Sequence, residues 1–87
     1  MKHRIEVTSK AMKQLLKLDK PVFQLITKYF DGLADLDDPR TRGKELTGNL
    51  IGLWQYRVGD YRILCKILDE ALIILVIDIG HRKEVYR

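Results

Sequence analysis

One cysteine, Cys65, leaves the chain without an internal disulfide, so its fold does not depend on an oxidising compartment. Two histidines, His3 and His81, stand at opposite ends and are too few for a metal centre. No Ser-His-Asp set, phosphate-binding glycine loop, zinc spacing or paired-carboxylate motif occurs. No apolar run is long enough to span a membrane, and the opening residues alternate like a strand rather than forming a signal-peptide core. Repeats, low-complexity tracts and linkers are also missing. These absences lead us to expect no metal, no cofactor, no membrane association and a cytoplasmic location.

Eighty-seven residues make one small domain, 1–87, with no room for a second core. A hydrophobic fraction of 46% and a charged fraction of 32% are those of a folded globular chain. The formal charge of +4 favours anionic partners: nucleic acid, the ribosome or an acidic protein.

The most informative stretch is L-W-Q-Y-R-V-G-D-Y-R-I-L-C-K, Leu53 to Lys66. Period-two alternation of aromatic and β-branched residues on both sides of Gly59-Asp60 predicts a hairpin with a two-residue primed turn. That loop length sets the register, with Val58 opposite Tyr61, Arg57 opposite Arg62, Tyr56 opposite Ile63, Gln55 opposite Leu64 and Trp54 opposite Cys65. Trp54, Tyr56, Val58, Tyr61, Ile63 and Cys65 then form a core face, so Trp54 reads as packing and Cys65 as a buried structural thiol. Gln55, Arg57, Arg62 and Lys66 occupy the other face. Two arginines directly opposite each other cost about 0.2–1 kcal/mol unless something neutralises them. Such a pair is either a solvated sheet face with splayed guanidiniums or a site for an anion or acidic partner.

Upstream, Lys2 to Val7 reads as a first strand, with His3 a strand residue of no chemical consequence. Thr8 or Ser9 can cap a helix whose buried stripe is Ala11, Met12, Leu15, Leu16 and Leu18, with Lys10, Lys13, Gln14 and Lys17 outside. Pro21 starts a second helix with Val22, Leu25, Ile26, Tyr29, Phe30 and Leu33 at helical spacing. Asp35 to Asn49 reads as irregular, interrupted by Pro39, Gly43 and Gly48 and pinned by Leu36 and Leu46. Arg40, Arg42 and Lys44 make it the most basic loop, either a solvated connection or one wall of a groove for a phosphate backbone. Ala71 to Ile79 is apolar on both parities, which predicts a central strand covered on both faces, and Gly80 breaks the run. The fold class is α+β: an N-terminal strand, a helical hairpin, then a mainly antiparallel sheet of three to four strands.

The candidate chemistry is a cluster of Arg57, Arg62, His81, Arg82 and Tyr86, with Lys44 and Glu45 on the flanking loop. These groups suit RNA cleavage by the 2′-hydroxyl, which needs charge stabilisation on phosphorus and a proton for the leaving 5′-oxygen. Arginine forks supply the first, a histidine or a crowded arginine could supply the second, and a tyrosine could orient the phosphate or stack on a base. Arg40, Arg42, Gln55 and Lys66 are candidate RNA contacts.

Across nearly its whole length, and most specifically in G-L-W-Q-Y-R-V-G-D-Y-R-I-L and G-H-R-K-E-V-Y-R, the chain resembles the RelE/ParE superfamily of toxins from toxin–antitoxin modules. The resemblance implies a RelE-like, microbial-ribonuclease-like fold and a metal-independent endoribonuclease that cuts mRNA in the ribosomal A site. It carries the family's basic sheet residues onto Arg57 and Arg62, and its C-terminal arginine and tyrosine onto Arg82 and Tyr86. It puts a general base near Lys44 or Glu45, and implies an acidic, RelB-like antitoxin as partner. Gln55 departs from the pattern, standing where ribosome-dependent cutters carry a lysine. Two other readings stay open: a ParE-like, non-enzymatic inhibitor of DNA gyrase, and a decayed toxin that only binds its antitoxin.

Overall fold

Gly59 takes φ of 58° while Asp60 keeps a negative φ, as in a II′ turn, and the two strands leaving it pair as the alternation requires. In the computed structural model, which describes residues 2–81, the chain runs β1 (Arg4–Val7), α1 (Ser9–Leu16), α2 (Lys20–Ala34), β2 (Lys44–Glu45), β3 (Trp54–Val58), β4 (Tyr61–Leu68) and β5 (Ile73–His81). Short 3₁₀ turns at Pro39–Thr41 and Gly48–Leu50 flank β2. The β3–β4 register matches all five expected pairs, including Arg57 opposite Arg62.

The sheet has five strands in the order β1-β5-β4-β3-β2, antiparallel except for the β1–β5 pair. This is the expected α+β arrangement of a strand, a helical hairpin and a mainly antiparallel sheet; what differs is the two-residue β2 inside the stretch read as irregular, where Lys44 pairs with Gln55 and Glu45 with Trp54. As expected, β5 is interior, flanked by β1 and β4. Gly80 does not end it. The strand continues to His81 because Gly80 pairs with Arg62 in the ladder. Nor is β5 fully covered on both faces: Ile74, Val76 and Ile79 are buried, whereas Ile73, Leu75 and Ile77 are half-buried.

Both helices cover one face of the sheet, α1 over β5 and α2 over β1 and β3. Thr8 caps α1 by accepting a hydrogen bond from the Ala11 amide at 3.1 Å. Ala11 and Leu15 of α1 and Ile26, Phe30 and Leu33 of α2 meet Tyr56, Val58, Ile63, Cys65, Ile74 and Val76 in the core. Leu46 is buried and Leu36 packs against the core, so both pin the connecting segment. Met12, Leu16 and Leu25, assigned to the buried stripes, are instead exposed. Eight residues of α1 present only a narrow seam to β5, which Ala11 and Leu15 fill.

Gln14 also departs from expectation. It is half-buried and spans a β-bulge in β5, where the register shifts between Leu64 and Cys65. Its amide nitrogen donates to Asp78 at 2.7 Å, and its oxygen accepts from the Ile79 amide at 2.8 Å. The bulge advances the alternation by one residue, so Ile74, Val76 and Ile79 share the core.

Burial pushes the Cys65 thiol up to about 12. Burial likewise raises the Tyr56 hydroxyl, which donates to the Pro39 carbonyl at 2.7 Å. A raised acid contributes stability that is complete below its unfolded value and is lost as pH climbs toward its folded value. Stability is therefore expected to fall between about pH 9 and 12. Native protein at pH 8 should resist a thiol reagent for which the unfolded chain is a ready target, as mass spectrometry of timed samples will show.

Candidate functional site

The site begins with Gly43. Its φ of 72° lies in the left-handed region, and a Cβ there would come within 2.3 Å of the Gln55 carbonyl oxygen and 2.9 Å of the Trp54 indole nitrogen. Only glycine lets the segment lie this close to β3, and the close approach is what pairs Lys44 with Gln55. The preceding turn is fastened from the sheet side. Trp54 Nε1 donates to the Arg42 carbonyl at 2.7 Å, and the Tyr56 hydroxyl reaches Pro39. Arg40 forms two hydrogen bonds with Asp69, at 2.7 and 2.9 Å, tying the turn to the β4–β5 connection. That carboxylate raises the Arg40 pKa, and the guanidinium in turn lowers that of Asp69.

An open cleft of about 260 Å³ results, lined by Gly43, Lys44, Gln55, Arg57 and Arg62. β2 supplies Lys44, β3 supplies Gln55 and Arg57, and β4 supplies Arg62. Gly80, the cross-strand neighbour of Arg62, contributes no side chain. Arg57 is exposed, Arg62 is half-buried and Gln55 is buried at 5% exposure. Among the described residues, three side chains of one sign line the cleft with no carboxylate beside them, an arrangement that an anion relieves. Arginine supplies planar forks matched to phosphate oxygens, and lysine a mobile point charge.

Of the residues singled out in the sequence, Arg57, Arg62, Lys44 and Gln55 come together here. Lys66 lies two residues beyond Leu64 on the same side of β4 as Arg62, outside the cleft lining. Four other candidates lie elsewhere. Arg40 is engaged with Asp69. Arg42 stacks over the Tyr29 ring at 5.8 Å, toward the helices. Glu45 stands opposite Trp54, so the pleat turns it away from the cleft. His81 does not join the arginines: it pairs with Tyr61, and the two rings meet edge to face at 5.7 Å on the helix side of the sheet. Arg82 and Tyr86 lie outside the described residues.

Two contributors escaped the sequence reading. Gly43 reads in the sequence as a breaker of regular structure, yet it carries the close approach that forms the cleft wall. Gln14 sets the bulge and hence the face on which His81 emerges. A basic residue followed by glycine and a short polar pair gives some signal for the first. The second has none, because the bulge contains neither glycine nor proline.

The chain has counterparts among known proteins. The family described as "ParE toxin of type II toxin-antitoxin system, parDE" matches residues 5–86. The toxin RelG of Mycobacterium tuberculosis is 31% identical over 88 residues, spanning 100% of this chain and 99% of that protein. Among solved structures, the RelBE2 toxin–antitoxin complex of Mycobacterium tuberculosis superposes with a TM-score of 0.84 at 28% identity, covering 94% of this chain and 100% of that one. The archaeal RelE–RelB complex of Pyrococcus horikoshii gives 0.76 at 25% identity, covering 98% and 100%. The chain belongs to the ParE toxin family within the RelE/ParE superfamily, and is a toxin of a type II toxin–antitoxin system with a RelE-like fold.

Proposed function

We propose that the protein is a ribosome-dependent, metal-independent endoribonuclease that cuts mRNA in the A site by 2′-hydroxyl attack and so stops translation in the cytoplasm. The cleft of Lys44, Arg57 and Arg62 is the observation that carries this reading. In-line attack loads negative charge onto the phosphoryl oxygens. Guanidiniums fixed on neighbouring strands meet that charge without reorganising, which is the most effective form of electrostatic stabilisation. Arg62 and Arg57 hold the phosphate in this scheme, and Lys44 faces it from β2. Arg82 and Tyr86 are assigned to the tail's share of the work, stabilising the phosphate and orienting it or stacking on a base. Lys66 extends the basic strip along the RNA backbone, with Arg40 and Arg42 as outlying contacts. Proton transfer is assigned to Lys44 at the cleft or to Arg82, and not to Glu45 or His81, which the ladder turns to the helix side of the sheet.

The partner we infer is a cognate acidic antitoxin, since the relatives above crystallised as toxin–antitoxin complexes. Met12 and Leu16 stay exposed beside a groove of about 430 Å³ between the helices and β1, a surface suited to an amphipathic antitoxin helix.

A second reading, inhibition of DNA gyrase, is favoured by the ParE name of the matching family. Purified protein is to be incubated in parallel with mRNA-programmed ribosomes and with gyrase plus supercoiled DNA. Cut mRNA and untouched gyrase are expected. Stabilised gyrase–DNA breaks with intact mRNA would replace the first reading with the second.

A further inference from the structure

We propose that Gln55 makes the cleft selective for ribose over deoxyribose, its amide oxygen accepting a hydrogen bond from the 2′-hydroxyl next to the bound phosphate. The proposal rests on the reading of the cleft as a phosphate site and adds what that phosphate must be attached to. Lys44, Arg57 and Arg62 can only donate hydrogen bonds, so among the described residues Gln55 brings the one side-chain acceptor to the lining. Its Oε1 is buried and has no hydrogen-bond partner among the described residues. Buried acceptors nearly always have a donor, and one left open beside a cluster of cations calls for a ligand that brings both an anion and a donor.

Inorganic phosphate brings the anion with no sugar hydroxyl beside it. A 2′-deoxynucleotide brings the anion with no neighbouring hydroxyl. A ribonucleoside 3′-phosphate brings both on adjacent carbons. Gln55 sits on β3 between Lys44 and Leu64 and two residues before Arg57, within the same lining as the arginines. The terminal torsion of glutamine is broad, so the amide can turn its oxygen toward the cleft while the backbone stays in the ladder. An amide cannot take the proton. Gln55 therefore positions and selects, and the proton goes elsewhere.

The full-length chain is to be titrated with uridine 3′-monophosphate, its 2′-deoxy counterpart and inorganic phosphate, following the backbone amide signals of Gly43, Arg57 and Arg62 by NMR. All three ligands are expected to shift these signals, the ribonucleotide binding about tenfold more tightly than the deoxynucleotide. In Gln55→Met, close in volume and without the amide, the ratio is expected to fall below about twofold while phosphate affinity stays within about threefold. Equal ribo and deoxy affinities in the unaltered protein overturn the proposal and leave the phosphate site standing, as does a ratio that survives in Gln55→Met. Failure of all three ligands to bind overturns the phosphate site itself, and the proposal with it. The comparison in the unaltered protein decides the matter even where the methionine variant does not fold.

Discussion

Arg62→Ala is expected to slow cleavage of ribosome-bound mRNA by about 10²–10³-fold, the usual loss when one preorganised donor to a developing negative charge is removed. Arg62 is half-buried on β4, faces Arg57 across the ladder and Gly80 on the other side, and lines the cleft with Lys44. Among the described residues, no neighbouring side chain in the cleft can reproduce a fork held in that orientation, because lysine offers one point charge and Arg57 is exposed. Arg57→Ala should cost less, about tenfold, and should carry a second signature. Removing one of two like charges directly opposite each other relieves about 0.2–1 kcal/mol, so its melting temperature should hold or rise while activity falls. Single-turnover cleavage on programmed ribosomes, paired with thermal melts of the same preparations, reads both quantities. A variant that loses activity in proportion to lost stability would point to damage to the fold rather than to the site.

Gly43→Ala is expected to be the most damaging small substitution for the fold. A left-handed alanine costs about 1–2 kcal/mol on its own. The added carbon would also sit 2.3 Å from the Gln55 carbonyl, against backbone that cannot step aside, adding about 1–3 kcal/mol. A total of about 3 kcal/mol is a large part of a small domain's stability and corresponds to a fall in melting temperature of about 10–20 °C. Gly48→Ala is the matched control: its φ is 68°, but a Cβ there meets nothing within 4 Å. It should lose only the conformational share, about 1–2 kcal/mol. Similar losses at both sites would mean that the close approach to β3 is not a constraint. Because Lys44 follows Gly43 directly, the alanine variant is also expected to lose cleavage beyond what its unfolded fraction explains.

The hairpin was the most legible part of the molecule. A two-residue loop leaves one register, and alternation leaves one choice of faces, so the Arg57–Arg62 juxtaposition followed from residue types alone. The caps, the helical hairpin and the interior place of β5 were legible for similar local reasons. The losses came where local pattern gives way to tertiary geometry. The bulge at Ile77–Asp78 is held by Gln14, a residue 63 or more positions away, and moves His81 to the side of Tyr61. β2 is two residues long, too short for alternation to register, and depends on the Gly43 approach. Arg40 and Arg42 looked like wall residues by charge, but Asp69 and the Tyr29 ring claim them. Charge content marks which segment is basic; partners fixed by the fold decide which of its cations remain at the cleft.

Attack by a 2′-hydroxyl on the neighbouring phosphate, as proposed for this cleft, leaves a chemical fingerprint. mRNA on programmed ribosomes is to be treated with the protein and the new termini identified by mass spectrometry. A 2′,3′-cyclic phosphate on the upstream fragment and a 5′-hydroxyl on the downstream one are expected. A 3′-hydroxyl paired with a 5′-phosphate would show that water, not the ribose, attacked, and would contradict the proposal.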